Sequence, residues 1–278
     1  MTRYCYFVTE GPQDVEFLIR LLKPNGLERV TKLTSLNDFW KPLVPRSFPI
    51  QDDLRKRVPV PEFLQSQDQE LSIALHSATG INNLAKTLEG TLGIIPPPEF
   101  FGIGFLLDAD KQEEPQKRFQ ELQREVQQKL SELSISLPFP AQAGDVTEES
   151  PRFGVFIMPD NVNTGTLETI LTQCAEVNYP KLLELAKNYI SSIDSDFNER
   201  ENQAIDKNKK KDLEEFNKQF GHSKATISAI TSILKPGKTL QVSLQDNRWI
   251  DEKSMELNDV KFIRDFLKKI TGITPIHN

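Results

Sequence analysis

Apolar residues fall along this chain in two rhythms, short continuous runs and stripes that repeat every three or four positions. Arg3 to Thr9 (RYCYFVT) is aromatic and β-branched, which predicts a buried strand. Glu10-Gly11-Pro12 stops it, and Pro12 suits the first turn of a helix. Val15, Leu18, Leu21 and Leu22 then recur at helical spacing until Lys23-Pro24-Asn25-Gly26. Leu71 to Leu75 predicts another strand and Ile81 to Leu92 a helix, closed by Pro96-Pro97-Pro98. Phe100 to Leu107 (FFGIGFLL) is a continuous apolar run of the kind buried on both faces of a sheet, and it ends in Asp108-Ala109-Asp110. A polar helix follows, with Phe119, Leu122, Val126, Leu130 and Leu133 as its inner stripe. Phe153 to Met158 is a strand ended by Pro159-Asp160-Asn161, and Leu167, Ile170, Leu171 and Cys174 mark the next helix face.

Four strand-helix units in succession predict an α/β fold with a mainly parallel sheet flanked by helices, over residues 1–180. Residues 30–69 carry Pro42, Pro45, Pro49, Pro59 and Pro61 and predict an irregular insertion or lid. Residues 181–278 predict a helix-rich C-terminal extension packed on that core. Its expected elements are helices over Lys181–Ile193, Asn202–Phe220, Lys224–Leu234 and Val260–Ile270, with a possible strand over Leu240–Leu244.

Composition narrows the classes of function. Hydrophobic residues make up 37% and charged residues 27% of the 278, as expected for a folded soluble protein. No apolar run reaches the ~20 residues that span a bilayer, and the first residues carry no signal-peptide pattern, so a cytoplasmic protein is expected. Cys5 and Cys174 read as buried thiols, and the scattered His76, His222 and His277 offer no zinc spacing. Oxygen ligation, and therefore a hard ion, is the remaining metal chemistry. A net charge of -6 argues against a protein that coats nucleic acid through its overall charge, while leaving local phosphate contacts open.

Ligands of open parallel sheets bind beyond the carboxyl ends of the strands. Glu10, Asp108, Asp110 and Asp160 all fall there. Asp108 and Asp110 are two apart and share a side in extended backbone, and Glu10 joins them if its strand is adjacent. Converging carboxylates repel one another, and a divalent cation relieves the conflict. Mg²⁺ or Mn²⁺ so held fits phosphodiester cleavage or phosphoryl transfer, one ion activating water and a second, ~4 Å away, stabilising the leaving oxygen. The competing structural reading is ordinary: Asp160 suits a helix N-cap, and Asp14 and Glu168 sit in first turns that favour negative charge.

The combination resembles a known domain. Val8-Thr9-Glu10-Gly11-Pro12-Gln13-Asp14 before an apolar helix resembles the first Toprim motif, and Phe105-Leu106-Leu107-Asp108-Ala109-Asp110 resembles the Toprim D-x-D motif. A closer resemblance is to a family of OLD-like Toprim proteins, carried by Phe156 to Asn161 and by Gly165-Thr166-Leu167-Glu168. That resemblance implies a nuclease with two metal sites, one served by Glu10, Asp108 and Asp110 and the other supported by Asp14 and Glu168. It further implies a late lysine that steadies transition-state charge, for which Lys224 is the candidate, so that Glu10 and Lys224 are the implied catalytic residues. OLD proteins carry an ATPase, yet no G-x-x-x-x-G-K-[ST] occurs here, so any ATPase would be a separate partner.

Other features are weaker. Lys207 to Lys211 is a basic run flanked by acids, which reads as a solvated helix face. Arg55-Lys56-Arg57 in the insertion is a better phosphate contact, and Trp40 and Trp249 read either as base-stacking platforms or as core. The leading expectation is a metal-dependent nuclease acting on DNA or RNA. The alternatives are a non-catalytic or partner-dependent Toprim scaffold and an enzyme of small phosphorylated substrates.

Overall fold

The computed structural model describes residues 1–47, 52, 59–109, 115–201 and 213–273. Its elements run in the order β1 (Arg3–Thr9), α1 (Pro12–Leu22), β2 (Leu27–Arg29), β3 (Glu62–Ser66), β4 (Leu71–Ser77), α2 (Leu84–Leu92), β5 (Gly102–Asp108), α3 (Pro115–Glu132) and β6 (Arg152–Met158). They continue with α4 (Leu167–Asn178), α5 (Pro180–Glu201), α6 (Gly221–Leu234), α7 (Leu240–Asp246) and α8 (Asn258–Thr271).

The strands form one six-stranded sheet in the order β2-β3-β4-β1-β5-β6. β4, β1, β5 and β6 are parallel, and β2 and β3 add an antiparallel edge. The fold is therefore α/β, with a mainly parallel sheet flanked by helices and a helical C-terminal part. Strand-length apolar runs become interior strands because each buries both faces. On β1, Cys5 and Phe7 enter one core cluster while Tyr6 and Val8 enter the other. Each fully buried Phe of this set contributes roughly 1.5–3 kcal/mol through the area it removes from water.

The two clusters lie on opposite faces. α1, α4, α5, α6, α7 and α8 share residues of the first cluster, and α2 and α3 those of the second. The C-terminal helices are thus built into the same core as β1 and β4. Close approach is written into the sequence as glycine. A Cβ on Gly102 would collide with the Ile270 carbonyl oxygen, and one on Gly154 would lie 2.7 Å from the Phe266 ring. α8 therefore rests almost directly on the backbone of β5 and β6.

Several local expectations are corrected. The expected insertion supplies β3 and a 3₁₀ turn, Asp38–Leu43, whose Trp40 is wholly buried and donates from Nε1 to Ser72 Oγ at 2.8 Å. Arg29 staples this edge to α1 by pairing with the buried Glu16 at 2.5 Å and with Glu62 at 3.2 Å. Leu240–Leu244 is helical rather than extended: Thr239 Oγ1 accepts from the Val242 N–H, so an N-cap overrides the alternation of Leu-Gln-Val-Ser-Leu. Of the helix expected over Asn202–Phe220, residues 202–212 lie outside the described residues and 213–220 form turns. Leu133, expected in the inner stripe, follows the end of α3 and is exposed. Among the described residues no helix is long and apolar enough to cross a membrane.

Candidate metal centre

The parallel strands place a topological switch point between β1 and β5. From β1 the chain moves to β4 on one side, then crosses to β5 and β6 on the other. Helices on the two sides pack on opposite faces, the arrangement in which open α/β sheets bind ligands at the carboxyl ends of their strands. Glu10 directly follows β1 and Asp108 ends β5, with Thr9 paired to Leu106 in the register between them.

Their side chains are fixed by backbone donors. Glu10 Oε1 accepts from the Asp108 N–H at 2.9 Å, and Asp108 Oδ1 accepts from the Leu167 N–H at 2.9 Å. The second bond sets a carboxylate on the N-terminus of α4, where the helix dipole favours negative charge. The Ala109 N–H donates to the Gly165 carbonyl at 3.1 Å, so the ends of β1 and β5 and the start of α4 form one hydrogen-bonded unit. The loop after β4 joins it, Gly80 N–H donating to the Glu10 carbonyl at 2.9 Å.

Asp14 and Glu168 stand beside this unit, each in the first turn of its helix. Asp14 Oδ2 accepts from the Gly11 N–H at 2.7 Å, the reciprocal bond of a capping box. Glu168 Oε2 accepts from Thr166 Oγ1 at 2.8 Å. Both are buried, Asp14 to 3% exposure and Glu168 to 8%. Burial pushes the Asp14 carboxyl up to about 8, and the charges of Glu10 and Glu168 push the same way, against the Gly11 N–H and the Lys224 ammonium. Glu10, Asp14, Glu168 and Lys224 thus share one electrostatic neighbourhood. Lys224 is exposed in the first turn of α6, where the helix dipole disfavours a cation, so its charge is opposed by its own helix and favoured by the acids.

Five of the six predicted site residues are placed in this region, and the sixth, Asp110, lies outside the described residues. Among the described residues no three carboxylate, imidazole or thiol groups stand close enough to make a ready-formed metal cage. The donor chemistry nevertheless fits a hard cation: every candidate ligand is a carboxylate oxygen, and the buried Asp14 lacks enough positive charge nearby to stay ionised at pH 7. Gly165 and Thr166 belong to the motif Gly165-Thr166-Leu167-Glu168, but their roles, positioning the β5 end and Glu168, emerge from the structure. The Thr-x-x-Thr spacing of Thr166 and Thr169 was the available signal, since Thr169 Oγ1 accepts from the Thr166 N–H at 3.1 Å.

Other expected features fall elsewhere. Asp160 is no helix N-cap: Oδ1 accepts from Val162 N–H and Asn163 N–H at 3.0 and 2.7 Å, within its own turn. Trp40 and Trp249 are wholly buried and unavailable for stacking on bases. Arg55 to Arg57 and Lys207 to Lys211 lie outside the described residues. Cys5 and Cys174 are buried thiols, which burial pushes up to about 12.

A family model described as "Protein of unknown function (DUF3226)" matches residues 6–271. The chain belongs to the DUF3226 family. In this DUF3226 protein the match spans every described site residue from Glu10 to Lys224. Among solved structures, the crystal structure of a hypothetical protein from Pyrococcus horikoshii OT3 is similar at a TM-score of 0.54 and 13% identity. The similarity covers 97% of this chain and 95% of that one, and it shows a shared fold. No curated protein matches the chain.

Proposed function

We propose that this DUF3226 protein is a metal-dependent enzyme of the OLD-like Toprim kind that hydrolyses phosphodiester bonds, or transfers phosphoryl groups, on nucleic acid. The observation that carries the reading is Asp14, a buried carboxylate held up near 8 beside Glu10 and Glu168 at a sheet switch point. A structural acid in a first turn is normally solvated, whereas a ligand needs this burial and crowding.

Glu10 and Asp108, with Asp110, would hold one Mg²⁺ or Mn²⁺, and Asp14 and Glu168 a second. Such an ion supplies Lewis acidity toward water and phosphoryl oxygens. Backbone N–H donors fix one oxygen of Glu10 and one of Asp108, so the carboxylates are oriented before any ligand arrives. Asp14, raised to about 8, holds a proton at neutral pH that a bound cation would displace, so metal affinity would rise with pH. Lys224 offers an exposed ammonium to the charge that grows on a phosphoryl oxygen.

The test is cleavage of labelled single- and double-stranded DNA and RNA with Mg²⁺ or Mn²⁺, comparing wild type with Asp108→Ala. Metal-dependent cleavage that disappears in the variant supports the reading and names the substrate. Cleavage that survives in Asp108→Ala sinks it. A second reading rests on a specific observation: Glu10 and Asp108 each already accept a backbone N–H, as structural carboxylates do. A non-catalytic scaffold of this kind binds metal without turning over any nucleic acid.

A further inference from the structure

A pocket of about 800 Å³ lies at the far end of α1 from the carboxylates, between the last turn of that helix, the segment leading from α7 to α8, and α8 itself. About 13 Å of helix axis separates Asp14 from Lys23 on its rim, so the two places cannot share a small ligand. Five cations line it, Arg20, Lys23, Arg248, Lys253 and Arg264, in a chain whose net charge is -6.

Three acids, Asp251, Glu252 and Glu256, share the lining, so the five cations leave it a net charge of +2. Among the described residues no carboxylate forms an ion pair within 4.0 Å with any of the five. Two of these acids are held by other groups: Asp251 accepts from Ser254 N–H and Ser254 Oγ, and Glu256 pairs with Lys261 at 2.8 Å while also feeling the Arg264 charge; Glu252 is exposed on the rim. Arg20 and Arg264 are half-buried and anchored, donating to the carbonyls of Ile250 at 3.3 Å and Met255 at 3.2 Å. Each anchoring bond uses one N–H of a guanidinium that has five, so both forks keep donors for a ligand. Pro24, Ile250 and Met255 add apolar lining, which strengthens charged contacts by excluding water.

We propose that this pocket is a second ligand site, built for a phosphate-bearing anion of nucleotide size. Anchored arginines over an apolar surface, ringed by exposed lysines, suit a phosphate group joined to a less polar body. The phosphate comes either from a free nucleotide or from the end of a nucleic-acid strand. The site stands independently of the metal-centre reading.

Calorimetric titration of the full-length protein in EDTA, which removes any metal-bridged binding at the carboxylates, tests it with pyrophosphate, ATP and oligonucleotides with and without a 5′-phosphate. Saturable binding that weakens with added salt is expected, with a loss of about tenfold or more in Arg264→Gln. Because Arg264 also ties down the Met255 carbonyl, the exposed pair Lys23→Gln/Lys253→Gln provides a second variant, expected to weaken binding about threefold or more. Preference for ATP identifies a free nucleotide, and preference for the 5′-phosphorylated strand identifies a nucleic-acid end. No binding at millimolar concentration overturns the proposal, as does binding unchanged in both variants.

Discussion

Replacing Asp14 by asparagine should make the metal-free protein more stable, by an amount that depends on pH. Burial is the largest cause that moves this carboxyl from its ordinary 3.8 to about 8, with Glu10 and Glu168 adding to it. In the unfolded chain the proton leaves near 3.8, and in the folded chain it is kept until about 8. Within that window the folded state binds more protons, so stability falls as pH rises, by about 1.4 kcal/mol per pH unit. Below the window the residue contributes nothing of this kind, and above it the cost is constant. At pH 7 the full penalty is about 4 kcal/mol. Asparagine is the same size and can still accept the Gly11 N–H through its carbonyl oxygen, so no cavity opens and the bond at 2.7 Å survives. We expect Asp14→Asn to gain about 2–4 kcal/mol at pH 7, shrinking to nothing near pH 4. Urea unfolding of both proteins in EDTA between pH 4 and pH 8.5 measures this. A variant less stable than wild type at pH 7, or a difference that does not change with pH, would refute the electrostatic argument. Added Mg²⁺ should reverse the order, because only the wild type regains a charge partner at this position.

Other expectations follow from single contacts. Arg29→Met strands the buried Glu16 carboxylate and should cost about 3–5 kcal/mol in urea unfolding, most of it recovered in Arg29→Met/Glu16→Met. Gly104→Ala drives a Cβ to 2.6 Å from the Phe7 ring and should cost about 1–3 kcal/mol by the same measurement. Burial lowers the pKa of His76, whose Nδ1 lies 2.6 Å from Tyr6 Oη, against the raising effect of the Pro59 carbonyl. The folded state therefore resists protonation, and stability is lost as pH falls below the ordinary 6.5 toward the lowered value. The advantage of wild type over His76→Gln should accordingly narrow in acid. Glu10→Gln should abolish any metal-dependent cleavage while leaving the unfolding free energy within about 1 kcal/mol of wild type, because the amide oxygen can still accept the Asp108 N–H.

What the sequence makes legible depends on range. The runs at β1, β5 and β6 announce themselves because a strand buried on both faces has no polar positions to interrupt it. Glu10 and Asp108 are legible as soon as those runs end, since carboxylates at strand ends stand out against apolar segments. The antiparallel edge is hidden because β2 and β3 are short, half polar and separated by a Pro-containing stretch. α7 is hidden because Leu-Gln-Val-Ser-Leu alternates like a strand, and only Thr239 signals the cap. The crowding of Asp14 by Glu10, Glu168 and Lys224 depends on the order of strands in the sheet, a long-range property that no local window carries.

The glycines under α8 have a mechanical consequence. At Gly102 the Ile270 carbonyl occupies the space of the missing Cβ, and at Gly154 the Phe266 ring lies directly on the strand backbone, so α8 sits unusually close to the sheet. A helix seated this closely has little room to slide, because a displacement meets the Gly102 backbone or drives the Phe266 ring into Gly154. That face of the sheet behaves as an anvil. α8 thereby holds β5, and with it Asp108, in a fixed place relative to the rest of the sheet.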